Sequence, residues 1–243
     1  MGTHSHCALS IHVAFRSTLQ QPSRSVLRCR FEKSAQSAIL NLFPPHSSNV
    51  SNNQYMRKLS WDEIDRPSPE DVHDLPKHPI RLVVHNIRSI HNVGSIFRTS
   101  DAARIEHVHL TGFTGTPEHK DLHKTALGAQ DSMSWSKHEA PRPVLRELRD
   151  RGYTIAVLEQ TDESIPPTQA SPEAFPLCLV VGNEVRGVDD NIVEVADLAF
   201  ELPQYGAKIS MNVGVAYGIA VYDLVRRARS LFGPPGEDGC TTS

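Results

Sequence analysis

Long apolar runs are missing from this chain: nothing in its 243 residues approaches the ~20 consecutive apolar positions that a membrane-spanning helix needs. Cysteine is scarce and scattered. Cys7, Cys29, Cys178 and Cys240 form no CxxC pair, which excludes both a ribbon-type zinc site and a disulfide framework and fits a reducing compartment. No GxGxxG follows a strand-like run, so a nucleotide-dependent oxidoreductase finds no support, and no GxSxG marks a nucleophile elbow. His119 and His123 have i, i+4 spacing, but HKDLH lacks the glutamate of a zinc-protease helix, and the pair reads as polar surface. No metal is expected.

Excess positive charge is lacking as well. The chain is −3 overall, while residues 1–55 carry Arg16, Arg24, Arg28, Arg30 and Lys33 against Glu32, a net of +4. The remainder therefore carries −7. An acidic body does not advertise nucleic-acid binding, since backbone affinity comes from Lys and Arg facing phosphates. Any RNA function must rest on a local basic patch.

What is present divides along the chain. Residues 1–55 are Ser-rich and acid-poor, without sustained periodicity. They read either as an organelle transit segment or as an extension ahead of a true start at Met56. The composition shift at MRKLSWDEIDRP favours the second. Residues 56–78 form a short lead-in, residues 79–231 the main domain, and residues 232–243 a tail rich in Gly and Pro. Within the main domain, short apolar runs alternate with helical patterns. Strands are expected at 80–86, 107–112, 133–138, 153–160, 176–184 and 198–203. Helices are expected at 92–103, 143–151, 189–195 and 210–229. The run IRLVVHN is mostly apolar, with Leu82, Val83 and Val84 consecutive rather than alternating with polar residues, as a strand covered on both faces should be. This is an α/β fold with a mostly parallel sheet and helices on both faces.

In such sheets ligands bind beyond the carboxyl ends of the strands. Three turns there are unusual. Val93, Ile96, Phe97 and Ser100 share one face of the helix in HNVGSIFRTSDA, leaving Arg98 among apolar neighbours. Gly182 directly follows the most apolar strand, in VVGNEVRGV, and permits a close backbone approach, with Asn183 and Glu184 projecting into the crevice. In ISMNVGVAYGIAVYD, Ser210 lies just before the apolar helical run, where its hydroxyl suits the orphan amides of a helix start; Asn212 sits in the first turn, and Gly214, Ala216 and Gly218 thin one side. Taken singly, each has a plain reading: Arg98 as a surface arginine, Glu184 as a carboxylate near a helix start, Ser210 and Asn212 as caps.

Together, in this order, the three segments resemble the three motifs of the SpoU (TrmH-like) branch of the SPOUT superfamily. The likeness spans roughly residues 80–229, with KTALGAQD resembling the stretch between the first and second motifs. Met211 replaces a usual Leu, Gly214 a frequent second Ser, and Gln204 a frequent apolar residue. The resemblance implies a C-terminal deep trefoil knot, a homodimer, and S-adenosyl-L-methionine (AdoMet) cradled by Gly182, Leu202 and Met211. It also implies methyl transfer to a ribose 2′-hydroxyl of tRNA or rRNA, with Arg98, Asn92, Glu184, Ser210 and Asn212 as the catalytic set. A cytoplasmic protein is expected, or an organellar one if residues 1–55 are a transit segment. The rival of another class is a noncatalytic RNA-binding module on the same fold, which loss of Arg98 or of Gly-Asn-Glu would have favoured. Both are present.

Overall fold

The computed structural model describes residues 56–64 and 67–236. The expectations for residues 1–55, and for the tail from 237 onward, lie outside the described residues. Residues 56–63 belong to a unit of their own, in which a 3-10 turn at Trp61–Glu63 is tied by Glu63 accepting from the Ser60 amide at 2.9 Å.

The second unit opens with α1 (Pro69–Asp74). Ser68 and Asp71 form a reciprocal capping box at its start, a feature that the lead-in's sequence left unread. Six strands follow: β1 (His78–His85), β2 (Ile105–Thr111), β3 (Trp135–His138), β4 (Thr154–Leu158), β5 (Leu177–Val181) and β6 (Leu198–Phe200). They lie in the order β3-β2-β1-β5-β4-β6, and every neighbouring pair is parallel. The helices between them are α2 (Ile90–Ala102), α3 (Lys120–Ala126), α4 (Ala129–Ser132), α5 (Pro141–Asp150) and α6 (Asp190–Val193), and α7 (Val213–Phe232) follows the last strand.

Alternation along the central strands explains the consecutive apolar residues at their middles. Leu82 and Val84 of β1, with Leu179 and Val181 of β5, face one core shared with α2, α3 and α7. Val83, Cys178 and Val180 face a second core closed by α5 and α6 through Val144, Leu145, Leu148 and Ile192. Both cores are dry, so the middle of each strand is apolar on either face, and the polar side chains β1 does carry are held by partners, Arg81 by Glu106 at 2.8 Å and His85 by Thr111 and Asp189. On α2 the expected inner face is the observed one, with Val93, Ile96, Phe97 and Ser100 buried. Ser100 is tolerated there because its hydroxyl lies 2.7 Å from the fully buried Tyr217 hydroxyl of α7.

Two expectations are corrected. The polar connection after β2 contains α3 and α4, because Leu122 and Ala126 are anchored in the core and His119 caps α3 by accepting from the Asp121 amide. The last helix starts at Val213 and not at Ser210: Asn212 is its cap, accepting from the amides of Gly214 at 2.9 Å and Val215 at 3.3 Å. Ser210 is exposed and outside the helix.

From β1 the chain passes outward to β2 and β3, and from β5 it passes the other way, to β6 beyond β4. The crevice at the carboxyl ends of β1 and β5 is therefore the topological switch point of the sheet. Leu179, wholly buried between Leu82 and Ala156 in register, tests that core. Leu179→Ala should cost ~2–5 kcal/mol in urea unfolding with an unchanged denaturant slope. A loss below ~1 kcal/mol would show that the centre of the sheet is not close-packed.

Candidate active site

Three chain segments meet at the switch point, and one carboxylate joins them. Glu184, in the loop after β5, accepts from the backbone amides of Arg88 and Ser89, each at 2.9 Å, and from Asn92 Nδ2 at 2.9 Å. Ser89 in turn caps α2. Asn92 then accepts, through Oδ1, from Asn212 Nδ2 at 3.1 Å, while Asn212 Oδ1 caps α7. The first, second and third motifs are thus linked by one hydrogen-bonded chain, Glu184 to Asn92 to Asn212. Partial burial pushes the Glu184 carboxyl upward, but the donors from Arg88, Ser89 and Asn92 outweigh it and hold the pKa below the ordinary glutamate value.

The loop after β5 is a tight reversal. Asn183 and Gly187 exchange backbone hydrogen bonds, both 2.9 Å, and Gly187 takes a φ of 73°. A Cβ on Gly182 would stand 2.2 Å from the Gly187 carbonyl oxygen, so the expected close approach is the loop's own backbone folding over Gly182. Asn183 does not project into the crevice as expected. It is buried, donating to the Asn86 carbonyl at 2.7 Å and accepting from the amides of Val185 and Arg186. Beneath it the buried His85 stands 2.8 Å from Thr111 Oγ1 and 3.1 Å from Asp189 Oδ2, bracing the loops after β1 and β5 against each other.

Beside this loop lies a cavity of about 330 Å³. Its walls include Gly182, Leu202 and Met211, the three expected cofactor residues, together with Glu184 and Ser210. Apolar walls come from Leu158, Val181 and Phe200, and Glu159 and Glu201 add two more carboxylates. The volume and the mixture of apolar walls with a few fixed polar groups suit a small organic ligand. Gln160 donates to the Ile209 carbonyl at 2.6 Å, which ties the segment before α7 over the opening.

Not every expected residue comes together. Ser210 lines the cavity but takes no part in the chain of hydrogen bonds. Arg98 is exposed on α2, does not line the cavity, and pairs with no described residue. Gly214 and Gly218 face α2 within the same chain, where added Cβ atoms would stand 3.6 Å from Ser95 Cβ and 3.8 Å from Thr99 Cγ2. Both lie on that internal crossing, at distances an added methyl could fill. Sequence reasoning missed Ser89, Glu159, Gln160 and the His85–Asp189 brace. For Glu159 and Gln160 the available signal was their position at the end of the strand-like run YTIAVLEQ.

Comparison with known proteins follows the same segments. The sequence model of the SpoU rRNA Methylase family matches residues 79–222. The chain belongs to this family. A tRNA (guanosine(18)-2′-O)-methyltransferase of Aquifex aeolicus is 32% identical over 148 residues, covering 58% of this chain and 66% of that relative. The 23S rRNA (guanosine(2553)-2′-O)-methyltransferase RlmP of Bacillus subtilis is 32% identical over 143 residues, covering 59% and 56%. The chain thus spans just under two thirds, or less, of the length of these curated relatives. Among solved structures, the A. aeolicus TrmH/SpoU tRNA modifying enzyme superposes with a TM-score of 0.60 at 28% identity, covering 68% of this chain and 84% of that one. The SpoU methyltransferase AviRb of Streptomyces viridochromogenes, solved in complex with AdoMet, shares the fold at a TM-score of 0.59 and 19% identity, covering 66% and 64%.

The SpoU-type clamp has a pH signature. A carboxylate whose folded pKa is depressed contributes stability above its unfolded pKa, and loses it as pH falls through the folded value. Urea midpoints should therefore fall faster for the wild type than for Glu184→Gln below about pH 4. Parallel pH profiles would show that the charge on Glu184 does not hold the loops.

Proposed function

We propose that this chain is an AdoMet-dependent RNA methyltransferase that methylates a ribose 2′-hydroxyl of tRNA or rRNA. The observation that carries the reading is the hydrogen-bonded chain Glu184–Asn92–Asn212 at the rim of the cavity lined by Gly182, Leu202 and Met211. The names of the two relatives support the substrate class. The cavity fits the cofactor in size, and three carboxylates in its wall suit a ligand bearing a sulfonium cation. When bound, AdoMet supplies the activated methyl group; the protein's own task is alignment and charge. Gly182 lets the loop fold tightly, Leu202 and Met211 provide apolar walls, Glu184, Asn92 and Asn212 fix the loops around the ribose, and Ser210 offers a hydroxyl from the cavity wall. The expected knot involves the same loops after β5 and β6, ahead of α7.

Arg98 is proposed as the group that acts on the reacting ribose. Its guanidinium stays protonated, so it stabilises negative charge on the 2′-oxygen or grips a neighbouring phosphate rather than accepting a proton. Standing outside the cavity of its own chain, it would serve the cavity of a second copy, which favours a homodimer. The exposed apolar stripe Val215, Ile219 and Tyr222 on α7 supports the same assembly. Exposed Arg88 and Arg186 flank the clamp and give the acidic body a local basic edge for RNA. No described helix is long and apolar enough to cross a membrane, and the reading places the protein with its RNA in the cytoplasm.

Labelled AdoMet with total RNA, followed by mass mapping of the modified nucleoside, tests the activity directly. Arg98→Ala should bind AdoMet normally while methylation at saturating RNA falls ~10²–10³-fold, and Arg98→Lys should rescue little because the planar fork is lost. Loss of cofactor affinity with an intact chemical step would make Arg98 structural. Light scattering should give a dimer for the wild type and a monomer for Ile219→Lys. A wild-type monomer that methylates RNA would refute the shared site.

A further inference from the structure

Three acidic side chains enter the cavity wall, and they are not equivalent. Glu184 is committed to its three donors across the crevice. Glu201 lies on the connection leaving β6, held there through its backbone amide to the Ile165 carbonyl. Glu159 is different: it is fixed from several sides and still faces the cavity. It follows β4, directly beside β5, and its own amide donates to the Phe200 carbonyl at 3.0 Å, which seats it between the loops after β5 and β6. Its Oε2 accepts from the Val188 amide at 2.9 Å and its Oε1 from the Gln160 amide at 3.1 Å. It also fills the space that Gly187 leaves, where a Cβ would stand 2.2 Å from Oε2.

A carboxylate offers about four acceptor positions, and two are taken here. The rest belong to an oriented group in the wall of a small-molecule cavity. A vicinal ribose diol presents two hydroxyl donors close together, the complement of one carboxylate, and an acidic side chain near a strand end is how open α/β sheets commonly hold a ribose. Building on the cofactor reading above, we infer that Glu159 is a binding residue that receives the ribose hydroxyls of the adenosine half of AdoMet. The Gly182–Val188 loop and the ribose would then share one anchor, so cofactor binding would stiffen the loop that carries Glu184.

The test is calorimetry with S-adenosylhomocysteine and its 2′-deoxy and 3′-deoxy analogues. The wild type should bind at least one deoxy analogue ~10–100-fold more weakly, the range for hydrogen bonds to a charged group. Glu159→Gln keeps an oxygen for the Val188 amide, and its discrimination should shrink to about threefold or less. Affinity for all three ligands falling together, with the ratio kept, would make Glu159 merely structural and overturn the inference, as would a wild type indifferent to the hydroxyls. A wild type that binds none of the three overturns the cofactor reading and this inference with it. Thermal melting checks folding. If Glu159→Gln does not fold, Glu159→Asp is read by the same ratio, and the shorter carboxylate should lose the discrimination.

Discussion

The Glu184 carboxylate and its three donors bind together parts of the chain that are almost a hundred residues apart. Two of the donors are backbone amides at the entry to α2, where the positive end of the helix already favours an anion. The third, Asn92, passes the connection on to the cap of α7. The loop after β1, the loop after β5 and the start of α7 are thus referred to one group. If it is removed, amides of the first loop lose their partner, the loop after β5 loses its tether, and Asn92 is free to turn away from Asn212. Charge-assisted bonds of this kind are stronger than neutral ones, which suits a site whose loops have little packing of their own.

The clamp works only because the helices behind it approach closely. Gly94 lets α2 meet α3: a Cβ there would overlap Thr125 Oγ1 and the Leu122 carbonyl. Gly214 and Gly218 lie on the crossing of α7 with α2, where added Cβ atoms would meet Ser95 and Thr99 at ordinary contact distance. Tyr217 sits between those two glycines, bonded to Ser100 in the dry core, and sets how α7 rests on α2. Asn92 and Asn212 are brought within hydrogen-bonding distance by that crossing. The site's geometry therefore rests on small residues that never touch the cavity's contents.

What the sequence could reveal follows from where each signal resides. Strands β1 and β5 were legible because burial on both faces leaves an unbroken apolar run, and the inner face of α2 because its spacing is helical. The second motif was legible as a glycine after a strand with Gly187 in the tight loop behind it, although the direct approach of the two glycines emerged only with the folded loop. Ser210 and Asn212 were both plausible caps; the choice between them depends on Asn92, 120 residues distant. Helices α3 and α4 stayed hidden in a polar stretch because two buried residues and a histidine cap hold α3 in place, with no amphipathic stripe to reveal it. Glu159 was marked only by its place at the end of a strand-like run; its partners Val188 and Gly187 come nearly thirty residues later in the chain.

The two borders of the sheet are short. β3 has four residues and β6 has three. Lys137 stands exposed on β3, with its ammonium group bonded to the Gly112 and Thr114 carbonyls, and β6 is capped along its outer side by Ile165, which pairs with Phe200 and bonds to the Ala199 carbonyl. Neither border offers the long, flat ladder of open amides that a foreign strand would need in order to add on. Growth by strand addition, the route by which many sheets aggregate or pair, is closed at both ends. Any surface contact is thereby left to the side chains of the helical faces.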